Sequence, residues 1–442
     1  MIKYLVVHGH FYQPERRDPF TGEIPREFGA EPFSNFNEKI NFECYKPNVD
    51  LGNFNRISFD LGPTLGEWIK EKDAETFQKI ISSDDAIAQP FHHTILPLSR
   101  TIEDLEIQVY WGIEYYKTIF HKDPKGMWLP ECAVNNLTLE VLIDSGIKYT
   151  LLPAHINLDI TKPYKVRIKE NKEITIFFFD NNLTKKVSFD DWCTINADNF
   201  IKNEIETRLH PEIKDSQIML IVNDGETFGH HKKFRDKFLE YLTTLAATNN
   251  NLKVCSLNGL FNESIKLRHT NIIENTTWSC DHGLNRWISG CECTGLNQEW
   301  KAYFRNALNV VAKRIDDIFF DESILYFYDP INALKDYINV KLKNITTEEF
   351  LERNSKEYDI KALSLMEAQY FKHQSFTSCG FFFDDISRIE AINNIKASLK
   401  AIDIINKNFD KNLIGYLIKN LENIKDSKGK KATDIIFDLL IQ

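Results

Sequence analysis

Ile218-Met219-Leu220-Ile221-Val222-Asn223-Asp224 is the stretch that decides the fold. An uninterrupted apolar run of this length, with no polar alternation, reads as a strand buried on both faces, as in a parallel sheet covered by helices. A carboxylate follows directly, and Gly225 permits close backbone approach or a positive φ behind it. The same pattern recurs along the first part of the chain. Met127 to Leu129 leads through Pro130 to Glu131, Ile2 to Val7 leads to His8 and His10, and Ile57 to Phe59 leads to Asp60. Ala86 to Ala88 leads to His92 and His93, Tyr149 to Leu152 to His155, and Ile174 to Phe179 to Asp180, while Leu252 to Leu257 is an eighth candidate strand.

Amphipathic segments of helical length lie between several of these runs: Leu65 to Ile81, Ile102 to Phe120, Leu137 to Ser145, Phe200 to Leu209 and Phe234 to Ala247. Alternation of helical periodicity with fully apolar strands predicts βαβ units and an α/β fold with a parallel sheet. Seven or eight such units fit a closed or nearly closed β/α barrel, in which active-site residues sit at the C-terminal strand ends. A doubly wound nucleotide fold loses its main support, because no G-x-G-x-x-G loop follows the first strand. Residues 1–270 are expected to form the catalytic barrel. Residues 271–442 are expected to form a mainly helical domain that contributes to the active-site rim, with the helical pattern running from Leu296 onward. The Pro-, Asn- and Arg-rich excursion from Gln13 to Asn55 is long enough to be functional.

The net charge of -10 argues against nucleic acid as a partner, since phosphate contacts need clustered Lys and Arg. No apolar stretch approaches a membrane span. Tyr4 to Val7 is too short for the core of a signal peptide, and the eight cysteines read as reduced thiols, so the expected compartment is the cytoplasm. Thirty-two Phe, 16 Tyr and 7 Trp supply aromatic surface that suits sugar faces wherever it is exposed.

Two acids delivered to one end of a parallel sheet are what glycosidic cleavage requires. A retaining enzyme uses one ionised carboxylate as nucleophile and one protonated carboxyl to assist the leaving group, the latter raised by a less polar pocket or a nearby negative charge. Glu226, two residues beyond Asp224, is a candidate for that charge. His8-Gly9-His10 has two readings: imidazoles that meet sugar hydroxyls and orient the nucleophile, or a metal site completed by His92 or His93 and by Asp60 or Asp224. If His92 and His93 are extended they face opposite ways, so one of them, taken as His93, joins the pocket. Cys280, His282, Cys291 and Cys293 read either as a structural zinc site, with spacings tighter than common zinc modules, or as reduced thiols in a pocket-lining loop. In the latter case Arg286 and Trp287 would stack on or hydrogen-bond to substrate.

Taken together, these residues resemble glycoside hydrolase family 57, whose members act on α-glucans. His8-Gly9-His10-Phe11-Tyr12-Gln13-Pro14 is similar to the family's first motif, Trp128-Leu129-Pro130-Glu131 to its third, and Asp224-Gly225-Glu226-Thr227-Phe228-Gly229 to its fourth. The resemblance implies an incomplete (β/α)7-type barrel followed by a helical region, Glu131 as nucleophile and Asp224 as acid/base. It also implies substrate contacts from His8, His10 and Trp128, with no metal and no cofactor. The first motif carries two extra residues, Phe11-Tyr12, and Phe91-His92-His93-Thr94 stands at the second without its usual Glu. The segments Cys280 to Trp300 and Phe376 to Asp385 resemble a divergent branch with a helical C-terminal domain of unknown function. The expectation is a retaining α-glycosidase or α-glucanotransferase. A metal-dependent hydrolase or deacetylase at His8 and His10, or a non-catalytic glycan-binding barrel, stand as alternatives.

Overall fold

The structure, a computed structural model, describes residues 2–263, 265–294 and 298–441. The expected start of the helical pattern at Leu296 lies outside the described residues, and the pattern is taken up at Trp300. The chain divides into two compact units. The first comprises residues 1–13, 26–90 and 119–278; the second comprises residues 14–25, 91–118 and 279–442.

The first unit is α/β. Its strands are β1 (Lys3–Phe11), β2 (Ser58–Leu61), β3 (Ala86–Ile87), β4 (Tyr149–Pro153), β5 (Tyr164–Lys169), β6 (Lys172–Phe179), β7 (Gln217–Asp224), β8 (Leu252–Val254) and β9 (Arg268–Thr270). One sheet has the order β3-β2-β1-β7, with β8 also paired to β1. Every pairing in it is parallel, as buried apolar strands dictate. The other has the order β4-β6-β5-β9. Met127 forms an isolated parallel bridge to Ala88 and Gly126 one to Tyr149, so the Gly126-Met127 segment continues the arc from β3 to β4. The parallel arc therefore runs β7, β1, β2, β3, the Gly126-Met127 segment, β4 and β6. Among the described residues no ladder joins β6 to β7, so the barrel is incomplete. The helix Asn181–Phe189 connects those two strands. Its Thr184 hydroxyl donates to the Val222 carbonyl, and Asn223 Nδ2 donates to the Thr184 carbonyl.

β5 and β9 carry no continuous apolar run. β5 (Tyr-Lys-Val-Arg-Ile-Lys) alternates in burial and pairs antiparallel with β6 through a turn at Asn171, whose φ is +67°. The segment Leu65 to Ile81 splits into the helices Pro63–Lys72 and Ala74–Ile81, because the Asp73 side chain accepts from Thr76 N and caps the second.

The second unit is helical. Its long helices Trp300–Tyr326, Ile360–Gln374 and Ile389–Phe409 bury Phe304, Leu308, Leu365, Ala368, Ile395 and Ile402 among the core residues. No described helix is long and apolar enough to cross a membrane.

Candidate active site

β1 sets the geometry. His10 is in register with Asp60 of β2 on one side and with Asp224 of β7 on the other; His8 is likewise in register with Ser58 and Val222. Side chains in register across parallel strands, and those two residues apart on one strand, share a face. Asp60, His10 and Asp224 therefore form one row at the C-terminal ends of three adjacent strands.

Asp60 is fully buried and is held by three donors. His8 Nε2 lies 3.0 Å from one carboxylate oxygen; His10 Nδ1 and Gln89 Nε2 each lie 2.8 Å from the other. Burial raises Asp60 to about 6, the His8 hydrogen bond working against it. Burial also lowers His8 and takes His10 down to about 3, so both rings are neutral imidazoles at neutral pH. Trp128 packs on both, with ring centroids 5.4 Å from His8 and 4.7 Å from His10.

Glu131 lies in the turn Pro130–Cys132, where Leu129 is extended, as the following proline requires. Glu131 and Cys132 have φ of +58° and +48°, a left-handed conformation costing roughly 1–2 kcal/mol per residue away from glycine. Trp278 holds this turn from a strand-like segment in which Thr276 bridges Val134. Its backbone N donates to the Glu131 carbonyl at 3.1 Å, and its indole Nε1 to Glu131 Oε2 at 3.3 Å. Backbone strain of this kind persists only where the surroundings over-determine it, and it concentrates at functional sites. Trp278 also meets Trp128 edge to face, at 5.0 Å.

Asp224 is open to solvent, unlike the buried strand it ends. Protein crowded around it, then the charge of Glu131, then that of Asp60, raise its carboxyl to about 7. The two acids expected from sequence are thus close enough to sense each other. Gly225 has no room for a side chain, since a Cβ would lie 2.3 Å from the Phe11 ring. Glu226 turns inward: Tyr45 OH donates to it at 2.7 Å and Gln13 Nε2 at 3.5 Å, and burial followed by the Asp224 charge raises it to about 8. Glu131 and Asp60 act on Asp224, and the Asp224 and Glu226 carboxyls also sense one another.

Glu131, Asp224, His8, His10 and Trp128 therefore come together in the first unit. His93, Arg286 and Trp287 belong to the second. His93 is not extended: its φ is +54°, and its Nδ1 lies 2.8 Å from Ser378 Oγ, while His92 Nδ1 lies 3.2 Å from Gln108 Nε2. Arg286 stacks on Phe382 at 4.0 Å and donates to the carbonyls of Phe382 and Ser279. His8, Trp128 and Trp287 are all 0% exposed, so none presents surface to a ligand; the expectation of direct substrate contact gives way to a packing role for each. No sequence pattern assigns a role to Trp278, Gln89 or Tyr45; Asp60 stands out as the acid closing the Ile57 to Phe59 run, with a role only in the metal alternative. The signal for Asp60 was available, as the first acid after a short apolar run.

The family profile described as glycosyl hydrolase family 57 matches residues 19–274, which include Asp60, Glu131 and Asp224. The chain belongs to glycosyl hydrolase family 57. It is thus a glycoside hydrolase acting on carbohydrate, and residues 296–435 match a domain of unknown function (DUF3536). Among solved structures, the exo-type maltose-forming amylase of Pyrococcus sp. ST04 aligns with a TM-score of 0.79 at 14% identity, covering 99% of this chain and 88% of that one. The GH57-type branching enzyme of Pyrococcus horikoshii aligns at 0.63 and 14% identity, covering 95% and 94%. The α-amylase AmyC of Thermotoga maritima aligns at 0.62 and 12% identity, covering 95% and 97%. At these identities the likeness is one of fold.

Proposed function

We propose that this enzyme cleaves α-glucosidic bonds of glucan chains with retention of configuration, through a glycosyl ester on Glu131 and with Asp224 as acid/base. The observation that carries this reading is the row Asp60-His10-Asp224 at the strand ends, with Glu131 within electrostatic reach of Asp224. The α-glucan substrate is supported by the amylase and branching-enzyme structures that share the fold.

The chemistry follows from the charges. With a pKa of about 7, Asp224 is protonated in about half of the molecules at neutral pH, and that form donates its proton to the departing glycosidic oxygen as Glu131 attacks the anomeric carbon. Ester formation removes the negative charge of Glu131, which is the second cause of the raised Asp224 value. The Asp224 pKa then falls, which suits the base that deprotonates the incoming water or sugar hydroxyl. Neutral His10, anchored by Asp60, presents a hydrogen-bonding edge beside Asp224 without adding a positive charge that would ionise it early.

The test uses maltooligosaccharides and glycogen, with the product anomer read by NMR. Asp224→Ala should lose activity on both glucans, and with α-glucosyl fluoride, whose leaving group departs without an acid, added azide should restore turnover with a glycosyl azide of retained configuration. Glu131→Ala with azide and the same fluoride should give the inverted azide. Full activity in Glu131→Gln would sink the assignment.

A further inference from the structure

The loop that precedes the long helix Trp300–Tyr326 carries a cluster that the glycosidase chemistry does not use. Cys280, His282, Cys291 and Cys293 bring their donor atoms within 4.8 Å of one another. Cys280 Sγ lies 3.7 Å from Cys293 Sγ and 3.8 Å from His282 Nδ1, and His282 Nδ1 lies 3.3 Å from Cys293 Sγ. These three lengths are close to the donor–donor edges of a tetrahedral metal site. With zinc–sulfur bonds near 2.3 Å and zinc–nitrogen bonds of 2.0–2.1 Å, tetrahedral geometry places sulfur about 3.8 Å from sulfur and about 3.6 Å from nitrogen. A disulfide would need about 2.05 Å, and none of the chain's eight cysteines, the three of this region included, forms one.

We propose that Cys280, His282, Cys291 and Cys293 bind one zinc ion, which staples the loop they enclose. The local backbone is shaped for it. Gly290 has φ of +95°, and a Cβ there would lie 2.4 Å from Gln298 Cβ. Cys291 N donates to Gln298 Oε1 at 3.4 Å, which turns the second donor pair back toward the first. Between the pairs stands one short helix, Asn285–Ile288, whose Trp287 is buried and whose Trp287 carbonyl accepts from Arg305 Nε. A loop with so little regular structure gains order from a metal cross-link, because binding free energy becomes folding free energy. Four protein donors fill the tetrahedron and leave no position for water or substrate, so the role is structural. Three thiolates and a neutral imidazole give the zinc site a net charge of -1, and the guanidinium of Arg286 lies in the same loop to offset it.

Metal analysis of the full chain, purified without chelator or affinity histidines, should give one zinc per chain. Cobalt(II) added to chelator-stripped protein should produce thiolate charge-transfer absorption and the ligand-field bands of a tetrahedral site, lost on adding one equivalent of zinc. The double variant Cys291→Ser/Cys293→Ser should lose the metal, whereas Cys193→Ser should retain it. His282→Cys keeps four donors and should keep the metal while shifting the cobalt bands toward a four-thiolate spectrum, which preserves the test if the double variant fails to fold. Zinc-free protein without a thiolate–cobalt band, or a Cys280–Cys293 disulfide in the purified chain, would overturn the proposal. Each readout is independent of glycosidase turnover.

Discussion

Buried carboxylates occur in both units, and they behave in opposite ways. In the α/β unit, Asp60 and Glu226 take hydrogen bonds from uncharged groups, namely imidazoles, amides and a phenol, and both are raised. In the helical unit, Asp316 faces Lys372 at 2.8 Å, Arg100 at 3.0 Å and Gln369 at 2.9 Å; burial alone would raise it, but the Lys372 charge holds it below the usual carboxylate range. Lys372 also reaches Asp104 at 2.6 Å, and the two acids raise it despite its own burial. Burial is similar in the two places, so the partners decide the outcome. Cationic partners fix a charge and make structure, whereas neutral partners leave a proton free to move.

The contrast is sharpened by substitutions on each side. Asp224→Asn removes a mobile proton and should lower kcat/KM by roughly 10²–10⁴-fold, with an unchanged thermal melt. In the unaltered enzyme kcat/KM should fall as pH rises through about 7, where the Asp224 acid form is lost. Lys372→Met, in the helical unit, takes from Asp104 the lysine it meets and leaves Asp316 with Arg100 alone, and should cost roughly 3–5 kcal/mol in a urea melt. A loss below 1 kcal/mol would erase the contrast.

Glu226→Gln should have the opposite sign. The Glu226 carboxyl ionises near 4.5 in the unfolded chain and near 8 in the folded one, so its contribution to stability is fully present below 4.5 and declines as pH rises to 8. Gln keeps an oxygen to accept from Tyr45 and carries no charge. It should therefore stabilise the fold at pH 9 by an amount on the order of a few kcal/mol, and leave stability at pH 4 unchanged. Asp60→Asn removes the smallest of the three causes acting on Asp224 and should move the upper limb of the pH profile downward by less than about one pH unit. An upward shift would contradict the role given to Asp60.

The strands were legible wherever burial on both faces produced an uninterrupted apolar run, as in β1, β4, β6 and β7. β5 was not, because an antiparallel strand with one exposed face alternates, and Tyr164 to Lys169 does so with charged residues. The helix Thr347–Asn354 also escaped notice, although its capping box, Thr346 with Glu349, is a local signal that sequence reading can find. Of the site, Glu131 and Asp224 were legible as acids closing strand-like runs. Their supports were not: Trp278 reaches Glu131 across 147 positions and Tyr45 reaches Glu226 across 181, and such pairings leave no periodic trace.

The central claim is that Glu131 and Asp224 divide the chemistry between nucleophile and acid/base. Trapping with 5-fluoro-α-glucosyl fluoride, followed by peptide mass spectrometry, tests it most directly. The account predicts one hexosyl adduct, on the peptide that contains Glu131, accumulating further in Asp224→Asn. An adduct on any other carboxylate, or the same labelling in Glu131→Gln, would contradict it.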